Sequence, residues 1–211
     1  GLISPRSVVR SHFPLPIKMN KISKKKIYGV VICFNSENVI EDLYKRIDKE
    51  MFDEIYFFDD NSSDKSFEIA KKFDWRLFKN EINLGHGGNL KQAIKKAFED
   101  GADYVLEIHA DNQYNPNLIL KAKKFIDEDY ALIIGSRFVN KNPHKDEGMP
   151  FLRYFSNKLM SGMTSKLLSI NLTEFHTGFK IFGKKFYEKV PFEYCSNNYL
   201  FSFQVILMTK F

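Results

Sequence analysis

"IYGVVICFNSENVIEDLYKRIDKEMFDEIYFFDDNSSD", residues 27–64, decides the fold. Residues 27–34 form an unbroken apolar run that reads as a strand buried on both faces. In residues 38–51, apolar side chains at Val39, Ile40, Leu43, Ile47 and Met51 recur at helical spacing. A second apolar run, 54–60, follows, and "SDKSFEIAKKF" (63–73) then opens a second capped helix. Two buried strands joined by a helix predict a parallel pair, because an antiparallel pair needs only a short turn.

The alternation continues outward. "WRLFKN" and "GNLKQAIKKAFEDG" form a third strand and helix, and "YVLEIHAD" (104–111) a fourth strand. Pro116 opens a helix to about Asp127, and "ALIIGSRF" (131–138) is a fifth strand. The fold expected is α/β and Rossmann-like, with a mostly parallel sheet and helices on both faces. After Phe138 the pattern changes. Residues 139–150 read as a mobile polar loop suited to be a lid, followed by a long helix, the turn "NLTEFHTGFKIF" and a short helix near "KKFYEKV".

The 211 residues suit one domain, and a hydrophobic content of 44% argues against disorder. The net charge of +6 comes from 32 basic residues dispersed among 26 acidic ones. That balance is compatible with nucleic acid, an anionic membrane or a phosphorylated substrate and selects none of them. With only Cys33 and Cys195, neither a disulfide framework nor a cysteine zinc cluster is available, and a reducing cytosol is expected. No apolar stretch approaches the roughly 20 residues that span a bilayer. Residues 1–24 begin with a proline-punctuated stretch without periodicity and read as an extension or cloning remnant outside the fold. The domain is expected to occupy 25–211. Because "YLFSFQVILMTKF" stops inside an apolar pattern, the natural protein is expected to continue.

Ligands of parallel α/β sheets bind beyond the carboxyl ends of the strands. Three polar clusters stand there: Phe34, Asn35, Ser36 and Glu37; Asp59, Asp60 and Asn61; and His109, Asp111 and Gln113. Adjacent Asp59 and Asp60 repel each other unless something offsets them, whereas Ser63 and Asp64 read as plain helix caps. "NLGHGGNLKQA" (83–93), with Gly85, Gly87 and Gly88, either cradles an anion on backbone N–H groups or makes a tight turn. Its spacing is not that of a dinucleotide fingerprint.

Taken together, "VVICFNSENVI", "EIYFFDDNSSDKS", "NLGHGGNLKQAI", "IHADNQYNP", "IIGSRF" and "HTGFKIF" resemble, in order, the motifs of family 2 glycosyltransferases of the GT-A fold. The likeness is greatest to dolichyl- or polyprenyl-phosphate mannosyl- and glucosyltransferases and runs from about Lys25 to Phe211. It implies that Phe34, Asn35, Glu37, Asp59 and Asp60 hold the nucleoside of a nucleotide sugar, with Gly88 in the turn near the diphosphate. Asp111 matches the last carboxylate of the family's DxD, and Gln113 a polar residue able to join it around Mg²⁺ or Mn²⁺. Arg137, Arg153 and Lys180 match basic positions that meet phosphates.

The implied reaction is inverting transfer of a hexose to a polyprenyl phosphate at the cytoplasmic face of an anionic membrane, without nucleic acid. The argument for a phosphate acceptor is that three converging cations need an anion. Transfer to a sugar hydroxyl of a surface glycan, with Glu174 as base, is the alternative, and Glu174 equally suits fixing Lys180. A sugar-nucleotide binder without transferase activity is the other reading, since His109 stands where the family carries aspartate. An imidazole ligates Mn²⁺ but suits Mg²⁺ poorly, so Asp111 is expected to be the ligand and His109 not.

Overall fold

The structure, a computed structural model, describes residues 8–9, 25–111, 114–139, 142–146, 148–175 and 177–210. Its sheet comprises β1 (Val8–Val9), β2 (Ile27–Cys33), β3 (Glu54–Asp59), β4 (Arg76–Lys79), β5 (Tyr104–His109), β6 (Leu132–Ile134) and β7 (Lys180–Gly183), in the order β1-β6-β7-β5-β2-β3-β4. β2 pairs in parallel with both β3 and β5, and β3 with β4. β7 runs antiparallel between β5 and β6. The helices are α1 (Ile40–Arg46), α2 (Ser66–Ala70), α3 (Gly85–Glu99), α4 (Ile119–Asp127), α5 (Pro143–Asp146), α6 (Phe151–Leu168), α7 (Lys184–Lys189) and α8 (Phe201–Lys210).

Strand alternation divides the core in two. Val30, Ile32, Tyr56, Phe58 and Val105 face one way and pack with Leu90, Ile94 and Ala97 of α3, Phe186 of α7, and Phe201 and Val205 of α8. Val31, Cys33, Phe57, Leu106 and Ile108 face the other way, against Ile40 and Leu43 of α1 and Ala122, Phe125 and Ile126 of α4. The α/β architecture with helices on both faces is therefore as the sequence reading has it, and the sheet is parallel apart from β7 and β1.

Three local expectations are corrected. The segment "TGFKIF", read as a turn, contains β7; the strand is only four residues long and begins with a charged lysine, so the apolar pattern hides it. The fifth strand stops at Ile134: Gly135 N–H still bonds Phe179 O in register with β7, and "SRF" then leaves the sheet as loop. Val8 and Val9, set outside the fold with the rest of residues 1–24, pair antiparallel with Ile133 and Leu132 at the sheet edge. The stretch 139–150 holds the one-turn helix α5, with His144 Nδ1 2.6 Å from Met149 O.

The glycines of "NLGHGGN" have a packing cause. Gly85 is left-handed at φ 77°, and a Cβ there would lie 2.7 Å from Asn197 O. At Gly87 a Cβ would meet Ser196 O at 2.4 Å and Phe201 Cβ at 2.7 Å, so the first turn of α3 carries the backbone that leads into α8 directly on its surface. Gln204 fixes that backbone from the other side, accepting from Ser196 N at 2.7 Å. Gly87→Ala should therefore push two main chains apart and cost about 1–3 kcal/mol, read as a lowered denaturation midpoint. An unchanged midpoint would show that the 196–198 backbone yields freely.

Candidate functional site

A pocket of about 380 Å³ opens beyond the carboxyl ends of β2 and β5, lined by Phe34, Ser36, Asp60, Asn83, His86, His109, Asp111 and Tyr199 among others. Its size and position suit a ligand site of an α/β sheet. The turns that build its rim consume much of the polar chemistry of the strand ends. Asn35 Oδ1 accepts from Ser63 N at 2.9 Å and Glu37 Oε2 from Lys65 N at 2.9 Å. Asp59 is fully buried, with Oδ2 accepting from Ser62 N at 3.0 Å and forming an ion pair with Lys79 Nζ 3.9 Å away. Asp64 is not the cap of α2, where Lys65 stands without a side-chain cap bond; its Oδ1 accepts from Ser66 N and its Oδ2 from Glu37 N, tying the two turns together. Phe34 stands 51% exposed on the rim.

Asp60 solves the adjacent-carboxylate problem differently. Its Oδ1 accepts from Leu84 N and Asn80 Nδ2, each at 2.8 Å, and its Oδ2 from Gly85 N at 2.9 Å. The carboxylate thus sits on the amino end of α3, where helix dipole and N–H groups favour negative charge. The expectation that Gly88 serves an anion is corrected: its N–H is given to Asn197 O at 3.0 Å, because the glycine turn receives a protein backbone there.

Histidine at 109 belongs to a buried cluster. Glu107, on the same face of β5, has a completely buried side chain. His109 Nε2 lies 2.8 Å and His86 Nε2 3.4 Å from Glu107 Oε1, while Lys180 Nζ lies 3.5 Å from Oε2. Burial alone raises the Glu107 pKa, but Lys180, His109 and His86 together hold it well below the usual carboxylate range. Gly178 leaves the room for this: a Cβ there would lie 2.6 Å from Tyr114 Cε2 and 2.9 Å from His109 Nε2. His86, in turn, is stacked between His109 and Tyr199, with ring centroids 5.3 and 4.8 Å away. Neither Glu107 nor His86 stands out when the strand and the glycine turn are read separately. The available signal is one acid inside a fully buried strand, two residues from a histidine.

The basic residues do not form one unit. Lys180 is fully buried, donates to Thr177 O at 2.6 Å and Ser202 Oγ at 3.2 Å, and does not line the pocket. Glu174 is not its partner. The buried Glu174 accepts from Arg137 through N–H at 2.8 Å and Nε at 2.9 Å, and also meets its Nη2. Arg153 is exposed in the first turn of α6. Arg137 and Lys180 each have their own carboxylate, so their charges require no bound anion to offset them. Asp111 is exposed at the pocket and offers carboxylate oxygens, the donor type that hard cations take. Gln113, expected beside it, lies outside the described residues, and His109 turns its Nε2 inward to Glu107.

A mostly parallel α/β sheet with this pocket at its carboxyl edge defines a nucleotide-binding type of domain. The family model described as glycosyl transferase family 2 matches residues 29–191, and the chain belongs to that family. An uncharacterized protein of Methanocaldococcus jannaschii is 31% identical over 194 residues, covering 92% of this chain and 79% of its own. The UDP-N-acetylglucosamine–dolichyl-phosphate N-acetylglucosaminyltransferase of Methanococcus voltae is 28% identical, covering 77% and 71%. Among solved structures, glucosyl-3-phosphoglycerate synthase of Mycobacterium tuberculosis, in complex with Mn²⁺, uridine diphosphate and glucosyl-3-phosphoglycerate, superposes with a TM-score of 0.61 at 16% identity. That superposition covers 87% of this chain and 64% of the other, so this chain spans under two thirds of that structure, and the likeness establishes the shared GT-A fold.

Cys33, at the end of β2, also lines the pocket. Burial is the main cause that pushes its thiol up to about 11, so it stays protonated and a weak nucleophile in mildly alkaline solution. Native protein treated with iodoacetamide should leave Cys33 unmodified by peptide mass, while the unfolded chain labels it. Rapid native labelling would mean that the floor of the pocket opens.

Proposed function

We propose that this chain is the catalytic domain of an inverting glycosyltransferase that moves a hexose from a nucleotide sugar to a polyprenyl phosphate. The observation that carries the choice of acceptor is the state of Glu174. Attack by a sugar hydroxyl needs a carboxylate free to take its proton. Glu174 instead gives both oxygens to Arg137 and is buried. A phosphate monoester arrives already anionic and needs no such base. The names of the Methanococcus voltae relative and of a dolichol-phosphate mannosyltransferase from Pyrococcus furiosus, 28% identical over 137 residues, support the same acceptor class.

On this reading the pocket takes the nucleoside between Phe34 and the Asp60 turn, and the diphosphate lies toward Asp111. Asp111 would hold Mg²⁺ or Mn²⁺, which when bound offsets charge on the departing nucleoside diphosphate. The rest of the work falls to the chain itself. Asp60 and Asn80 fix the amino end of α3, and Glu174 orients the Arg137 guanidinium, leaving its cation near Tyr114, 5.9 Å from the ring centroid. That position serves the incoming phosphate. Lys180, enclosed with Glu107, supports the pocket from below and does not touch the acceptor.

The acceptor's lipid fits α6. Phe151, Leu152, Phe155, Leu159, Met163 and Leu167 are all at least half exposed on this helix, which carries Arg153, Lys158 and Lys166 and no acidic residue. Such a surface suits an anionic bilayer, on the cytoplasmic side where nucleotide sugars are found. A cleft of about 700 Å³ between α6 and residues 169–173, bordered by Lys158 and Lys166, offers an approach for a charged headgroup. Among the described residues no helix is long and apolar enough to cross a membrane.

Two measurements test this reading. In calorimetry, Mn²⁺ should strengthen binding of a nucleoside diphosphate to the wild-type chain, and Asp111→Ala should remove the enhancement; an enhancement that survives the substitution rules out Asp111 as ligand. With a labelled nucleotide sugar, product should form on polyprenyl phosphate, and Glu174→Gln should keep that activity within about tenfold. Product on a glycan hydroxyl only, with a loss of about 100-fold or more in Glu174→Gln, would identify Glu174 as a base and overturn the lipid-phosphate reading.

A further inference from the structure

We infer that His86, Glu107 and His109 form a transition-metal site of their own, separate from the oxygen site at Asp111 and suited to Zn²⁺ and other late first-row ions. Three donor atoms from two elements, β5 and the first turn of α3, point at one spot. Glu107 Oε1 lies 2.8 Å from His109 Nε2 and 3.4 Å from His86 Nε2, and all three ligand atoms fall within 4.8 Å of one another. Zinc bonds of about 2.0–2.1 Å in a tetrahedron place neighbouring ligand atoms roughly 3.4 Å apart, so small side-chain shifts suffice.

The present arrangement leaves these atoms poorly served. Among the described residues, Glu107 Oε1, His86 Nε2 and His109 Nε2 are closed to solvent and lack a hydrogen-bond partner of acceptable geometry, although they crowd together. Buried polar atoms in that state are costly unless something binds them. A cation accepting all three lone pairs, with each imidazole carrying its proton on Nδ1, removes the deficit at once. Lys180 does not compete for the same oxygen, because it approaches Oε2 while the ion takes Oε1. The carboxylate then bridges two cations, and Lys180 remains anchored by Thr177 O and Ser202 Oγ.

The donor set decides the metal. Two imidazoles and one carboxylate suit Zn²⁺ and other late first-row ions, whereas Mg²⁺ prefers oxygen throughout. His86 and His109 both line the pocket. Three protein ligands leave a fourth position, which takes water or an anionic oxygen entering from there. The stack of His109, His86 and Tyr199 fixes the ring planes and orients the imidazoles before the ion arrives.

The test uses the whole chain, stripped with a chelator and dialysed. Zn²⁺ affinity is measured by competition with a chromophoric chelator, and Co²⁺ is added separately as a spectroscopic probe. The expected result is about one tight ion per chain and an intense visible Co²⁺ band of tetrahedral type. Both should persist in Asp111→Ala. Both should vanish in His86→Phe, which keeps the aromatic stack and the Glu107–Lys180 pair, so that loss of metal is not confused with loss of folding; Glu107→Gln serves as the second ligand variant. No stoichiometric Zn²⁺ binding by the wild-type chain overturns the inference. So does binding that disappears in Asp111→Ala and survives in His86→Phe, since the ion would then sit at the Asp111 site. Calorimetry of a nucleoside diphosphate with Mn²⁺, run on the same samples, reads the proposed donor site independently, so either assignment can fail without the other.

Discussion

The centre of this structure depends on one carboxylate that cannot reach water. Glu107 occupies a position in β5 where a hydrophobic residue would do, and a buried charge of that kind survives only with partners around it. The sheet and the helix above it supply them. β7 lies against β5 so that Lys180 comes opposite Glu107, α3 begins where His86 drops onto Oε1, and His109 follows on the same face of the strand. The short antiparallel strand, the glycine turn and the unusual histidine are thus parts of one arrangement. Removing the carboxylate would leave Lys180 buried without its counter-charge, which costs more than the pair itself is worth.

Arg137 with Glu174 is a second closed pair, and it is built differently. Glu107 faces the floor of the pocket, and its environment is built from side chains of three elements. Glu174 orients a guanidinium by one backbone and two side-chain contacts, a fork that favours Arg over Lys. Both carboxylates are spent on positioning cations. Asp111, by contrast, is an exposed acid lining the pocket.

Much of the architecture was legible because period and burial agree. The alternation of Val30, Val31, Ile32 and Cys33 between the two core clusters, and the helical spacing of Ile40 and Leu43, make β2 and α1 readable from the sequence. β7 escaped because Lys180 interrupts the apolar signal at its first residue, and its burial follows from a cross-strand partner that local pattern does not reveal. The strand ends were correctly seen as rich in polar residues, but hydrogen-bond direction was invisible: Asn35, Glu37 and Asp59 turn toward the 62–65 backbone. The three glycines gave the turn but not its reason, since residues 196–198 lie more than a hundred positions away in sequence. His109 was recognisable as a departure from the family, and its explanation required Glu107, His86 and Gly178 in one view.

That last grouping restricts the routes by which such a site can arise or be undone. His109→Asp places a second carboxylate beside Glu107 and trades a supportive neighbour for a repulsive one. Enlarging Gly178 drives a side chain into the imidazole. Residues 86, 107, 109 and 178 are thus coupled: a replacement at one changes the charge or the space that the others meet.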